Sequence, residues 1–484
     1  MKPALAVFTA FVFTSLFAFP AHADLNGDVR HILADPSLHK AQWSIKIVQL
    51  DPAGGKTIPL FESNPTALMK PASNLKVVTT SAALERLGPD FEFHTLLLLH
   101  GPDLCLIGDG DPTLGDAVLL KKSGWDVTTV FKIWAQGLAA RHAGPFRSLQ
   151  IDDSVFDSQY VNPHWPANQL DKDYLAGVAG LNLNANCLDV YIRPRGIGQP
   201  VDFYTDPPVA FIPIKNACVG GGEDRYWLGR DSATGGLVLR GEAAHANLSP
   251  LQITIPDPPM YTGQVLAEVF SSNGVSVGPV QRNETLRAAY MADPASPQWK
   301  LLAENKTSLL TVMSRANKDS MNLYAEACCK RLGYAVHGVG SWTAGTAAVA
   351  EFLSSIGVPS DQYHLDDGCG LSRFNGICAD LMISVLCHDF YGKNSKAFLS
   401  TLAVGGVDGT LLDRFRGTDL RGRVFAKSGF IDNVSCLSGY LQGRDNAWFA
   451  FSILFNDVPA GGTGDAKAAE ERIVRAIDLD CTNR

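Results

Sequence analysis

Three short motifs in this chain could assemble a serine nucleophile with its proton-transfer partners, and each of them occurs twice. Ser-x-x-Lys is found at Ser37-Leu-His-Lys40 and at Ser73-Asn-Leu-Lys76. On a helix, side chains three positions apart share a face, with Cβ atoms roughly 5–6 Å apart. An unprotonated lysine placed there can take the serine proton and leave a nucleophile. Its pKa must be lowered for that, by burial or by a neighbouring cation. Ser-x-Asn is found at Ser271-Ser-Asn273 and Ser320-Met-Asn322, and Lys-Ser-Gly at Lys122-Ser-Gly124 and Lys427-Ser-Gly429. A hydroxyl and an amide at a helix approach can project into a cleft, and a strand can present a lysine, a hydroxyl and an open backbone edge to a ligand.

The elements that must position these residues separate the members of each pair. Ser37 follows Pro36 and stands just before a strand over 41–50, so it cannot start a long helix. Ser73 opens a helix over 73–87, with Leu75, Val78, Ala82 and Ala83 as its apolar stripe and Gly88-Pro89 as its stop. The helix N-terminus favours developing negative charge, although a serine there also reads as a plain N-cap. Ser271-Ser-Asn273 runs into Gly274 and reads as a turn. Ser320-Met-Asn322 leads into a helical run, NLYAEACCKRLG, ended by Gly333. Lys122-Ser-Gly124 reads as the end of a helix. Lys427-Ser-Gly429 lies inside a strand-like run over 421–430, followed by further runs over 434–441 and 448–455 and a helix over 465–479; a lysine guarding an edge strand has the same look. Each match alone is weak. Ser73, Lys76, Ser320, Asn322, Lys427, Ser428 and Gly429, taken in order on helix, helix and strand, form a conjunction that is much stronger.

With that conjunction the chain resembles the low-molecular-mass class C penicillin-binding proteins, the D-alanyl-D-alanine carboxypeptidase/endopeptidase family. The likeness extends to Met69-Lys-Pro-Ala-Ser-Asn-Leu-Lys76, Gly108-Asp-Gly-Asp-Pro-Thr-Leu114, Leu181-Asn-Leu-Asn-Ala-Asn186, Asp366-Asp-Gly-Cys-Gly-Leu-Ser-Arg-Phe-Asn375 and Gly406-Val-Asp-Gly-Thr-Leu411. It implies an α/β (α+β) chain with a serine β-lactamase/DD-peptidase-like catalytic domain, a central antiparallel sheet flanked by helices, and β-rich inserted domains. It also implies roles. Ser73 attacks, Lys76 is the general base, and Ser320 with Lys427 returns the proton to the leaving amine. Lys427 lowers the pKa of Lys76 by like-charge proximity. Asn322 holds the substrate amide, Lys427 and Ser428 take the terminal carboxylate, and the N–H groups of Ser73 and Phe430, next to Gly429, form the oxyanion hole. The implied partners are peptidoglycan stem peptides and β-lactams, with no cofactor and no metal. Several positions depart from the family pattern. Cys369 replaces a serine, Ser428 a threonine, and Phe430 a small hydroxyl residue, which narrows the cleft. Asn168 and Gln169 are neutral where the family often carries an acid for a basic stem-peptide side chain.

Length and composition set the frame. A chain of 484 residues corresponds to roughly three domains. The stretch from Lys76 to Ser320 is more than twice as long as that from Asn322 to Lys427. The excess, over 96–284, alternates short apolar runs such as 95–99 and 104–107 with Gly, Pro and Asp turns. It reads as inserted β-rich material, two nested domains, within a discontinuous catalytic domain of 24–95 plus 285–484. Composition turns helical again over 299–332. A net charge of −8 argues against a nucleic-acid partner. Lys2, the apolar run over 4–19 and Ala21-His-Ala23 read as a cleavable signal peptide over 1–23, hence a periplasmic or secreted protein with no transmembrane anchor after cleavage. The ten cysteines include no CxxC pair, and neither their pairing nor the oligomeric state is determined by the sequence.

Other readings have less support. Gly274-Val-Ser-Val-Gly278 follows an apparent helix, whereas a nucleophile elbow needs a strand before it. No HExxH occurs and the histidines are scattered. Two alternatives share the residues: a non-catalytic peptidoglycan-binding scaffold, and a secreted serine β-lactamase, against which the long first interval argues.

Overall fold

The computed structural model describes residues 24–51, 55–231, 233–444 and 446–481. The leader read over 1–23 lies outside the described residues.

Alternating side chains build the central sheet. It has six antiparallel strands in the order Ala403–Val404, Val424–Ile431, Val434–Gln442, Trp448–Asn456, Gln42–Leu50 and Thr57–Ser63. Along Trp448–Asn456, Phe449, Phe451, Ile453 and Phe455 join one apolar cluster, with Val29, Ile473 and Ile477 from the helices Leu25–Leu33 and Thr463–Cys481. Ala450 and Leu454 join a second cluster, with Leu75, Val78 and Leu386 from the helices Leu75–Leu87 and Ala379–Tyr391. Both faces are covered, which is why these strands read as near-continuous apolar runs. The helix Leu75–Leu87 is buried at every position from Leu75 to Leu84. It is a core helix, closed at Gly88, which adopts a positive φ.

A mixed five-stranded sheet has the order Val280–Arg282, Leu149–Asp152, Asp103–Gly108, Glu92–His100 and Trp299–Ser308. Two three-stranded sheets come from Cys187–Arg193, Asp202–Asp206 and Leu251–Thr254, and from Ile214–Gly220, Arg225–Arg230 and Leu237–Ala243. The helices Thr129–Ala139 and Pro258–Ser272 lie among these strands in sequence.

Two sequence expectations are corrected. The stretch 299–332 is not helical from its start, because Trp299–Ser308 is a strand along Glu92–His100; the helices are Leu309–Lys318 and Asn322–His337. The open edge of Glu92–His100 supplies backbone partners that override weak local propensity. The second helix also runs through Gly333 to a left-handed Gly338. Gly333 is a packing glycine: a Cβ there would lie 2.6 Å from the backbone nitrogen of Gly345 on the neighbouring helix Trp342–Ser355.

Among the described residues no helix is long and apolar enough to cross a membrane. The thiols from Cys105 to Cys436 are free, and all are buried except the half-buried Cys387.

Candidate active site

The structure brings three of the six motif copies to one cleft. Its volume is about 520 Å³, and Ser73, Ser320, Asn322 and Phe430 line it. The other three copies lie elsewhere in the fold. Ser37 sits in a turn capped by Asp35, Ser271 and Ser272 end the helix Pro258–Ser272, and Lys122 follows the short helix Ala117–Lys121.

Ser73 lies in the tight turn Ala72–Asn74 that leads into Leu75–Leu87, and Lys76 lies in that helix's first turn. Lys76 is fully buried. Its Nζ is 2.8 Å from Ser73 Oγ, 2.7 Å from Asn322 Oδ1 and 3.0 Å from the Cys369 carbonyl oxygen. A carbonyl and an amide oxygen can only accept. As an ammonium Lys76 donates to all three neighbours, and as a neutral amine it keeps its two N–H groups on these oxygens and turns its lone pair to the Ser73 hydroxyl. Asn322 is oriented for this because its Nδ2 donates to the Tyr174 carbonyl at 2.7 Å.

Burial lowers the pKa of Lys76, while Cys369, Asp367 and Glu326 oppose the shift. Lys427 is also fully buried and is held well below the ordinary lysine value, first by burial and then by Lys76. The sequence reading made Lys427 the cause of a lowered Lys76. In the structure the main cause at Lys76 is desolvation, and the like-charge effect falls on Lys427. Lys427 Nζ donates to Ser320 Oγ at 2.9 Å and to the Ser428 carbonyl at 2.6 Å. Ser320 has a left-handed φ of 61° between the helices Leu309–Lys318 and Asn322–His337, a conformation costly for a residue with a side chain. Ser428 Oγ donates to Thr410 Oγ1 at 2.9 Å. The Phe430 side chain is 51% exposed and lines the cleft.

Gly429 is required by a close approach. A Cβ there would lie 2.8 Å from both Asn74 Nδ2 and the Pro71 carbonyl oxygen. Without that Cβ the strand Val424–Ile431 presses against the turn Ala72–Asn74, and Asn74 Nδ2 donates to the Lys427 carbonyl at 3.2 Å. Gly370 has the same function on the other side, where a Cβ would meet the Ala72 carbonyl oxygen.

Sequence reasoning missed several contributors. Asn74 is hidden inside Ser-x-x-Lys, Thr410 inside Gly406–Leu411, and Asp367 inside the 366–375 segment. Asp367 is buried and accepts from the backbone N–H groups of Gly370 and Ser372, from Asn375 Nδ2 and from Trp165 Nε1. It is the hub of that loop. Glu326 carried one signal, an acid inside an otherwise buried helical run. Tyr174 acts through its backbone and left none. Gln169 lines the cleft and accepts from the Tyr174 hydroxyl at 2.7 Å. Glu326, Asp367 and Cys369 form a buried cluster, but the carboxylates are occupied by protein N–H donors.

A family model described as the D-Ala-D-Ala carboxypeptidase 3 (S13) family matches residues 25–478. A D-alanyl-D-alanine carboxypeptidase of Actinomadura sp. (strain R39) is 30% identical over 94% of this chain and 86% of its own length. The crystal structure of penicillin binding protein 4 (dacB) from Haemophilus influenzae superposes with a TM-score of 0.71 at 22% identity, covering 93% of this chain and 98% of that one. The same protein complexed with a novel β-lactam superposes with a TM-score of 0.67 at 21% identity and covers the same shares. The fold therefore belongs with the penicillin-binding folds, as the motif resemblance implied.

Proposed function

The chain belongs to the D-Ala-D-Ala carboxypeptidase 3 (S13) family, and on that premise we propose that Ser73 carries its serine-peptidase chemistry on peptidoglycan stem peptides and cross-links. The observation that supports this assignment best is the buried Lys76 amine 2.8 Å from Ser73 Oγ, with its other two neighbours restricted to accepting.

Lys76 takes the Ser73 proton as Oγ attacks the carbonyl of the penultimate D-Ala. The backbone N–H groups of Ser73 and Phe430 stabilise the oxyanion. The peptide C–N bond then breaks, and the Ser320–Lys427 pair delivers a proton to the departing amine. Water hydrolyses the acyl-enzyme. Asn322 holds the substrate amide, and Ser428 with Lys427 receives the terminal carboxylate. The low proton affinity of Lys427 fits this role, because an arriving carboxylate restores the charge that burial disfavours. β-Lactams acylate the same serine, in line with the ligand named for the Haemophilus structure.

We read 24–95 plus 285–484 as the catalytic domain and 96–284 as inserted; the five-stranded sheet takes strands from both sides of these bounds, since Glu92–His100 pairs with both Trp299–Ser308 and Asp103–Gly108. The segment 1–23 addresses the protein to the periplasm or the exterior, where peptidoglycan lies. Intact-mass and peptide mapping after incubation with penicillin should find one adduct, on Ser73, absent in Ser73→Ala. An adduct that persists in Ser73→Ala would overturn the assignment. Labelling without release of D-Ala from muropeptides would favour the scaffold reading, and rapid nitrocefin turnover the β-lactamase reading.

A further inference from the structure

We propose that Glu326 is a positioning residue for the reaction: through the backbone of Gly368 and Cys369 it holds the Cys369 carbonyl onto Lys76, and so aims the lysine lone pair at Ser73. This rests on the assignment of Ser73 and Lys76 above.

Glu326 is fully buried in the helix Asn322–His337, one turn beyond Asn322. Its carboxylate accepts from the N–H groups of Gly368 (3.0 and 3.1 Å) and Cys369 (2.8 Å), and from Trp342 Nε1 at 2.7 Å. The carbonyl of Cys369 is the group that takes one of the two N–H groups of Lys76. Thr79 Oγ1 donates to the Gly368 carbonyl at 2.7 Å and ties the same loop to the nucleophile helix. Space allows little alternative, since a Cβ on Gly368 would lie 2.6 Å from Cys329 Cβ and 3.2 Å from Glu326 Oε2. The loop is thus pinned by a side chain with no direct contact to Ser73. One helix supplies both groups that orient Lys76: Asn322 directly, and Glu326 through the loop.

Several titratable groups face Glu326: Asp367 and the Cys369 thiol from the loop, Lys76 from the helix Leu75–Leu87, and the Cys328 and Cys329 thiols and Lys330 from its own helix. Trp342 contributes a neutral donor. Burial, with Asp367 second, pushes the Glu326 carboxyl up to about 7. Oε1 accepts from both backbone N–H groups and Oε2 from Trp342, so protonation on Oε2 costs the indole hydrogen bond and leaves Oε1 holding the loop. The negative charge of Glu326 also favours the charged form of Lys76.

Stopped-flow penicillin acylation over a range of pH tests this with two variants that both shift the acid limb down and differ in maximal rate. Glu326→Gln presents an N–H donor to the backbone donors and removes the charge. Its maximal acylation rate should fall by about 10²-fold, the scale for misplacing a reacting group by about 1 Å, and its acid limb should move to lower pH as Lys76 deprotonates more easily. Trp342→Phe removes one hydrogen bond to the ionised carboxylate. Glu326 should then keep its proton to higher pH, which withdraws its charge from Lys76, so the acid limb should move down while the maximal rate, with Oε1 still on the loop, stays near wild type. Glu326→Asp should recover part of the rate lost in Glu326→Gln. A wild-type rate and limb in Glu326→Gln would overturn the proposal. So would a loss of rate matched by the loss of folded protein with no shift in either limb, and if Glu326→Gln does not fold, an unshifted limb in Trp342→Phe alone decides against it. Wild-type labelling at Ser73 is measured first, so a failure of the nucleophile assignment is distinguished from a failure at Glu326.

Discussion

Lys76 shows how much of this chemistry is set at the scale of one side chain. An amine with no exposure to water loses hydration that only its charged form needs, so its pKa falls. The sign for acylation follows. The reactive form is the neutral one, so the rate of penicillin acylation should rise with pH through the lowered Lys76 pKa and then level off. That limb lies below about 10.4, where a solvent-exposed lysine titrates. A rate still climbing at that value would show that Lys76 is not the base. Ser73 and Lys76 were legible in sequence because i, i+3 spacing on a helix is a local property. The Cys369 carbonyl that completes the arrangement was not, because a backbone oxygen has no residue type to recognise.

At the scale of elements, the two faces of the central sheet do different work. The face carrying Phe451 packs on the terminal helices, while the opposite face carries the core that holds the nucleophile helix. Phe451 is completely buried, and Phe451→Ala should destabilise the protein by about 3–5 kcal/mol. Because its cluster is separated from the site by the sheet, acylation per folded molecule should stay near wild type. Denaturant melts paired with titration of acylable sites check both halves. Strands and helices of this unit were readable from periodicity, whereas Trp299–Ser308 was not. Its pairing with Glu92–His100 is a long-range contact, and its residues carry little strand preference of their own.

At the scale of the whole molecule, the stretch between the first two motifs contributes to the site. Tyr174 supplies the carbonyl that orients Asn322, and Trp165 donates to Asp367. The completely buried Lys330 donates to Asp157 Oδ1 and to the Gln159 carbonyl, both at 2.7 Å, with its ammonium 3.9 Å from the Trp342 ring centre. This ties the 157–175 segment to the helix that bears Asn322 and Glu326. Lys330→Met strands Asp157 and the Gln159 carbonyl and should cost about 3 kcal/mol, the low end for breaking a buried pair because Asp157 keeps some solvent. Acylation should weaken as well, since the Tyr174 carbonyl moves with the segment. A variant that melts and acylates like wild type would refute the coupling.

The sequence alone determined the order of the three motifs, the helices that Ser73 and Ser320 lead into, the strand that carries Lys427, and the family expectation, because spacing, turn residues and apolar periodicity are written locally. It also produced a decoy for each motif, and context along the chain set these aside. Only the tertiary structure decided which copies meet in one cleft and what surrounds them there. Gly429 and Gly370 have no side chain to obstruct the approach of one segment to another, and Glu326 and Asp367 act on backbone N–H groups far away in sequence. Desolvation of two lysines arises only when distant segments close over them. Burial and backbone contact are properties of the assembled chain, and no residue type or spacing encodes them alone.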